Sequence, residues 1–243
     1  MFWREFIAMR VPWTWSGRVT RPAPDRPIAL IGLMGAGKTT VGRLLARCLG
    51  REFIDMDAEL ARELGMTVTR TFAKLGEANF RRRESALLRK LSARRDGPVV
   101  ATGGGVVLRP SNRTLLASRF ETYWLDISAA EAWRRLGTPR GRPLLQEGPG
   151  GTPRARLVRL ARERRTLHAA SGRRLRATGR TPIELAESIA AHVAGVARVR
   201  RATTGVDRTA RVRRATTGVD RTARVRRATT HAARAANDQE KSR

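Results

Sequence analysis

Cysteine, acidic residues and long apolar runs are all scarce in this chain of 243 residues. A single cysteine, Cys48, excludes an intrachain disulfide and any cysteine-based zinc cluster. Its setting, Leu44-Leu45-Ala46-Arg47-Cys48-Leu49, reads as a helix in which a small buried thiol is expected. The lack of a disulfide framework fits a reducing compartment, most simply the cytoplasm. No run of about 18 apolar residues exists to span a membrane. The N-terminal stretch fails as a signal peptide, because Arg4, Glu5 and Arg10 interrupt what should be an apolar segment. Residues 1–26 therefore read as a poorly ordered extension to which no function is assigned. Acidic groups number 21 against 50 Lys+Arg, a net charge of +29, and nearly all the positive charge is arginine. Such an excess attracts polyanions as a class, from nucleotides to nucleic acid, without choosing among them.

Between residue 27 and about 195 the chain alternates strand-like and helix-like patterns, as βαβ units around a parallel sheet do. Pro27 to Gly32 is an apolar strand followed at once by glycines. Thr39 to Leu49 has helical apolar spacing at Val41, Leu44, Leu45, Cys48 and Leu49. Phe53-Ile54-Asp55 is a short strand, followed by a helical stretch through Lys90. Val99–Thr102 and Thr122–Ile127 are further strands. Two helix starts match the S/T-x-x-E capping box: Ser128 with Glu131, and Thr181 with Glu184, the latter with Pro182 at the first helical position. Residues 137–153, rich in Gly, Pro and Arg, are too long for a tight turn and too irregular for a helix, which suits a mobile lid.

Beyond Arg198 the unit RVRRATTGVDRTA occurs twice and begins a third time at Arg224. Each copy offers too little apolar surface to offset chain entropy, so residues 198–243 read as a disordered basic tail. Without aromatics for base stacking, that tail is expected to bind nucleic acid at most weakly and without sequence preference.

Gly32-Leu33-Met34-Gly35-Ala36-Gly37-Lys38-Thr39 fits G-x-x-x-x-G-K-[ST]. Glycines let successive backbone N–H groups turn toward phosphate oxygens, and the following helix adds its positive end. Lys38 is placed to reach the β- and γ-phosphates, and the Thr39 hydroxyl to join a magnesium shell. Gly35, Ala36, Gly37, Lys38, Thr39 and Thr40 form the expected ATP cradle. Asp55 and Asp57 follow at the end of the second strand, where open α/β sheets bind ligands. On an extended segment, carboxylates at i and i+2 point the same way: one toward magnesium through water, the other toward an acceptor hydroxyl. The alternative is a pair of helix-start aspartates ahead of Ala58-Glu59-Leu60.

Next come Gly76-Glu77-Ala78-Asn79-Phe80-Arg81-Arg82-Arg83-Glu84, Thr102-Gly103-Gly104-Gly105 and Arg142-Pro143-Leu144-Leu145. With the P-loop and the Asp-x-Asp pair, these five motifs in order, over about residues 27–195, resemble the shikimate kinase family. The resemblance implies a three-layer α/β P-loop kinase fold, with a central parallel sheet of about five strands, helices on both faces and a mobile lid. It places the domain at residues 27–197. The implied reaction is transfer of the ATP γ-phosphate to the 3-hydroxyl of shikimate, a step of chorismate and aromatic amino-acid synthesis, with one Mg2+ per subunit and a monomeric, cytoplasmic enzyme. By the same match Lys38, Asp57 and Arg142 are catalytic, with Asp57 as base on the substrate hydroxyl and Arg142 on the transferring phosphate. Thr39 and Asp55 serve magnesium, while Arg135 and Pro182 flank adenine. Arg81 pairs with the substrate carboxylate, Gly103, Gly104 and Gly105 approach the ring, and Arg164 is a second carboxylate clamp.

The family's arginine is followed by x-P-L-Y, whereas here Arg164 is followed by Arg165-Thr166-Leu167-His168. Arg162 and Arg165 are therefore alternative clamps one slip away, and Arg81, in a run of three arginines, is alternatively one more solvated charge. Two other functions stay open at this level: a different P-loop small-molecule kinase such as a gluconate-type kinase, and a nucleic-acid-binding ATPase.

Overall fold

In a computed structural model the described residues are 26–137, 143–146 and 151–195. The N-terminal extension up to residue 25, most of the lid including Arg142, and the repeat tail lie outside them. The chain divides into two units, Met1–Leu185 and Ala186–Arg243. The first holds every strand, in the order β1 (Ile28–Ile31), β2 (Phe53–Asp55), β3 (Val99–Ala101), β4 (Glu121–Asp126) and β5 (Arg173–Arg176). Residues 182–185 of the first unit, named α8, are helical, and the described residues 186–195 of the second are helical.

All four pairings are parallel and the strand order is β2-β3-β1-β4-β5. Strand β1 sits in the middle, and Ile28, Ala29, Leu30 and Ile31 are all fully buried. A central parallel strand covered on both faces calls for such an uninterrupted apolar run. Helix α1 (Lys38–Leu49) packs on β1, β2 and β3. A second apolar layer joins Ala29, Ile31, Val100 and Trp124 to Phe80, Leu87, Leu88, Leu91 and Leu116. These last come from α3 (Val68–Ser92) and α4 (Pro110–Arg119). Helix α7 (Pro153–Ser171) packs on α4 and β4. The expected three-layer sheet-and-helix sandwich is present.

The helical stretch after β2 is two helices, not one. Helix α2 (Met56–Leu64) ends at Gly65, and α3 starts where the Thr67 hydroxyl accepts the Arg70 N–H at 3.2 Å. Gly76, with φ 73° and ψ 162°, then breaks α3. Both predicted helix starts are capped, but only the second as a full box, since the Glu131 carboxylate bonds Arg134 and Arg135 while Ser128 N donates to Thr178 Oγ1. Ser128 Oγ accepts from Glu131 N at 3.2 Å at the start of α5 (Ala129–Leu136). Thr181 and Glu184 bond reciprocally, at 3.3 and 2.7 Å, at the start of α8.

Three expectations need correction. Cys48 is exposed: it continues the stripe of Val41 and Leu45 at helical spacing, but the buried side of α1 is centred among Val41, Gly42, Leu45 and Ala46, which leaves Cys48 at its edge in the last turn. The lid contains one helical turn, α6 (Pro143–Gln146), where Leu145 is fully buried and its carbonyl accepts from Arg156 Nη1 at 3.0 Å. Strand β5, Arg173-Arg174-Leu175-Arg176, lacks apolar alternation and was invisible to pattern. It is an edge strand held by its ladder to β4 and by the 2.7 Å bond from Arg174 Nε to Asp126 Oδ2.

Candidate active site

The loops leaving β1, β2 and β3 converge at the carboxyl end of the sheet, and they carry the P-loop, Asp55–Asp57 and Gly103–Gly105. Gly37, the N-cap residue of α1, has φ 87°. Only glycine takes that left-handed conformation without strain, and it opens the first turn of the helix toward an anion. Lys38 Nζ donates to the carbonyls of Gly32 and Leu33, at 2.9 and 3.0 Å, so the ammonium rests across the mouth of the loop. Thr40 follows in the first turn of α1, exposed.

Thr39 Oγ1 donates to Asp55 Oδ2 at 2.7 Å. The other oxygen, Asp55 Oδ1, accepts from the backbone N–H groups of Asp57 and Ala58 at 3.1 and 3.3 Å. Asp55 therefore caps α2 with one oxygen, as the helix-start reading expects, while its other oxygen meets the P-loop threonine. Asp57 lies in the first turn of α2 rather than on an extended segment, so the i, i+2 argument for its direction does not hold. A hydroxyl and a carboxylate set side by side are hard oxygen donors of the kind magnesium takes, with phosphates and waters completing the shell. Among the described residues no group of three or more His, Cys, Asp or Glu gathers to hold a metal by protein ligands alone, which agrees with that partial donor set.

On the other side of the P-loop lies the polar pocket. Arg81 is only 8% exposed, whereas Arg82 and Arg83 are exposed. Its Nε and Nη2 donate to Glu77 Oε1 at 3.2 and 3.1 Å, and its Nη1 donates to Glu84 Oε2 at 2.9 Å. The guanidinium also lies over Phe72 and Phe80, 5.7 and 5.4 Å from their ring centroids. A guanidinium has five N–H donors and these contacts take three, leaving two for a ligand. The Gly105 Cα faces this group so closely that a Cβ there would sit 2.4 Å from Arg81 Cζ. A Cβ on Gly103 would meet Glu84 Oε1 at 2.3 Å and Asp57 Oδ1 at 3.1 Å. The glycines are therefore required by the closeness of charged side chains.

Arg164 enters from α7. It is 3% exposed, its Nη1 donates to Gly104 O at 3.0 Å, and its Nε is buried without a hydrogen-bond partner. Burial, and then the neighbouring Arg81 charge, pull its pKa below the usual guanidinium range. Two buried guanidiniums that repel one another, one with an unused donor, form a socket for an anion. The neighbouring arginines point elsewhere. Arg165 Nη1 reaches Asp126 Oδ1 at 3.4 Å and lies over Trp124, and Arg162 is exposed.

Glu84 had no assigned role at the level of sequence, although it closes the motif containing Arg81. It is fully buried, and its Oε1 has no hydrogen-bond partner. Burial raises its carboxyl pKa against the opposing pull of Arg81. Its position three residues after Arg81, with Glu77 four before, is the helical spacing of a paired network and was the available signal. Arg135 lies on the nucleotide side. Its Nη2 donates to Ala177 O at 3.5 Å, and its Nη1 would be 3.9 Å from a Cβ on Gly37. Pro182 stands in the first turn of α8. Arg142 is outside the described residues, and no helix among those described is long and apolar enough to cross a membrane.

A family model for shikimate kinase matches residues 34–194. The shikimate kinase of Bordetella avium is 52% identical over 129 residues, 53% of this chain and 61% of the relative, so the chain spans less than two thirds of that protein. The Bordetella pertussis shikimate kinase is 46% identical over 159 residues, 65% of this chain and 74% of the relative. Among solved structures, shikimate kinase from Acinetobacter baumannii in complex with shikimate superposes with a TM-score of 0.63 at 37% identity, covering 68% of this chain and 90% of that one. The Aquifex aeolicus shikimate kinase gives 0.60 at 32% identity, covering 70% and 98%. With a family match over well more than half its length, on a P-loop beside a two-arginine socket, the chain belongs to the shikimate kinase family.

Proposed function

We propose that the chain transfers the γ-phosphate of ATP to the 3-hydroxyl of shikimate, giving shikimate 3-phosphate and ADP. The observation that carries this reading is the pairing of Arg81 with Arg164, buried and facing Gly103–Gly105 beside Asp57. A cyclic acid with ring hydroxyls fits both halves of that pocket. Its carboxylate offsets two like charges, and its hydroxyl side turns toward a carboxylate.

In the mechanism, Glu77 and Glu84 hold the Arg81 plane fixed. The substrate carboxylate takes the remaining Arg81 donors and the unused Nε of Arg164, and the glycines let the ring lie against backbone. The P-loop amides and Lys38 hold the nucleotide phosphates, Lys38 exchanging the carbonyls of Gly32 and Leu33 for phosphate oxygens. Asp57 accepts the proton of the 3-hydroxyl as its oxygen bonds to the γ-phosphorus. The bond from that phosphorus to the bridging oxygen breaks, and ADP leaves with the electron pair. Such transfers run mainly on positioning and charge stabilisation. Thr39 and Asp55 would hold one Mg2+, the latter through water; when bound, it neutralises charge on the β- and γ-oxygens. Arg142 of the lid completes the charge clamp, and Arg135 and Pro182 flank adenine. The same reading has a monomer working in the cytoplasm.

Incubation with MgATP and shikimate, or with gluconate in parallel, tests this by identification of the product. Shikimate 3-phosphate with ADP in equal amounts is expected. Phosphorylation of gluconate alone, or ATP hydrolysis stimulated by nucleic acid and not by shikimate, would overturn it.

A further inference from the structure

A second cavity, of about 230 Å3, opens between the end of β4 and helix α7, lined among others by Leu33, Trp124, Asp126, Arg162, Arg165 and His168. It is separate from the acceptor pocket, whose arginines face the glycines after β3, and it borders the nucleotide site at Leu33 of the P-loop and at His168, which feels the Lys38 charge. Three independent features describe what it would take.

The wall is aromatic. Trp124 and His168 stack with ring centroids 5.9 Å apart and an interplanar angle of 18°, and they are 4% and 3% exposed. The rim is cationic. Arg162 makes no hydrogen bond or ion pair among the described residues and is exposed. Asp126, the acid of the lining, already has Arg165 at 3.4 Å and Arg174 at 2.6 Å, so its charge is offset. Lastly, His168 Nε2 is buried with no hydrogen-bond partner, a polar atom whose isolation costs free energy until something bonds it. Burial, followed by the charges of Lys38 and Arg164, holds this imidazole down to about 3. It is therefore neutral, and with its proton on Nε2 it can donate one hydrogen bond to an anion. An aromatic wall, guanidiniums at the mouth and one unsatisfied nitrogen together suit a planar ring bearing an anionic group. The volume exceeds the roughly 150 Å3 of a cavity known to hold benzene, which leaves room for a carboxyl group.

We propose that this cavity is a second binding site, for a small aromatic carboxylate whose ring lies against Trp124 and whose carboxylate meets Arg162, Arg165 and the His168 Nε2–H. The proposal stands apart from the assigned reaction, since none of the four residues contacts the acceptor pocket in the mechanism above.

The test is calorimetric titration of the full chain with sodium benzoate, with ADP and shikimate present at saturation so that both reaction sites are filled. Benzoate is expected to bind with a dissociation constant on the order of 1 mM, a modest efficiency for so small a ligand, and to shift the Trp124 indole resonance. Benzamide, of the same shape without charge, should bind about tenfold more weakly. Arg162→Ala removes an exposed side chain and should weaken benzoate about tenfold while leaving kinase turnover unchanged. His168→Phe keeps the stack and removes the nitrogen; a loss of benzoate affinity there is expected provided its melting curve stays cooperative. Absence of binding, displacement of benzoate by shikimate, or an affinity unaltered by Arg162→Ala would each overturn the proposal.

Discussion

The two halves of the reaction site are built from different materials. The proposed phosphate side is backbone: a run of eight residues from Gly32 to Thr39, with amides, a helix end and one lysine to offer, half-open to solvent. The acceptor side is side chain, with Arg81, Glu84 and Arg164 all below one tenth exposed, drawn from α3 and α7 and pressed against glycines from the loop after β3. Backbone recognition tolerates solvent because it is pre-shaped by local conformation. Charged side chains in a dry pocket depend on each other, and removing one leaves its partner unpaired at a cost of several kcal/mol.

The sharpest way to break this contrast is at Asp57, the proposed base. Asp57→Asn should lower kcat by about two to four orders of magnitude, the usual range for lost acid–base catalysis, with nucleotide affinity intact. Equal loss of ATP binding in a direct titration would show that the two sides are not separable. Next in size, Arg164→Ala or Arg81→Ala should raise the shikimate KM roughly 10- to 100-fold, the worth of a charge-assisted hydrogen bond, with the ATP KM nearly unchanged. Gly105→Ala sharpens the same comparison without deleting any charge. Its new methyl must displace the Arg81 guanidinium from 2.4 Å, so it should mimic Arg81→Ala in steady-state kinetics; an unaltered shikimate KM would refute the packing argument.

A smaller effect concerns stability. His168 is neutral when folded, with a pKa near 3 against 6.5 for the free group. Below pH 6.5 the unfolded chain takes up a proton that the folded one refuses, so stability falls as acid is added through that window. The expected loss between pH 6.5 and 5 is about 1.6 kcal/mol. Chemical denaturation at both pH values should show it, and His168→Phe should lack it. The smallest effect is expected from ending the chain at Ala197, which should leave steady-state kinase activity unchanged while abolishing weak, salt-sensitive nucleic-acid binding in a gel shift.

Legibility in the sequence followed the same division. The P-loop could be placed because strand, glycines and helix are contiguous, and helices begin where Ser128 and Thr181 predict them, although only Thr181 forms the full capping box. Helix α1 was placed correctly, yet its Cys48 is exposed rather than buried, because helical spacing names a stripe while burial at its edge in the last turn depends on what packs against it. Strand β5 escaped notice since an edge strand of arginines draws its order from β4 and Asp126, which are distant in sequence. The choice among Arg162, Arg164 and Arg165 was likewise open, for three arginines within one helical turn look alike until the direction of each is known.

What the sequence by itself determined, then, is everything encoded over short range: the phosphate cradle, the sheet-forming apolar runs, the helix starts and the ordered motifs of a shikimate kinase. Only the tertiary structure decided which arginine turns inward, that Asp55 serves α2 and Thr39 at once, that Glu84 anchors Arg81, and that a cavity lies beneath Arg162. Each of these depends on groups brought together from separate elements, where burial and the repulsion or attraction of neighbouring charges act on atoms that the linear order keeps far apart.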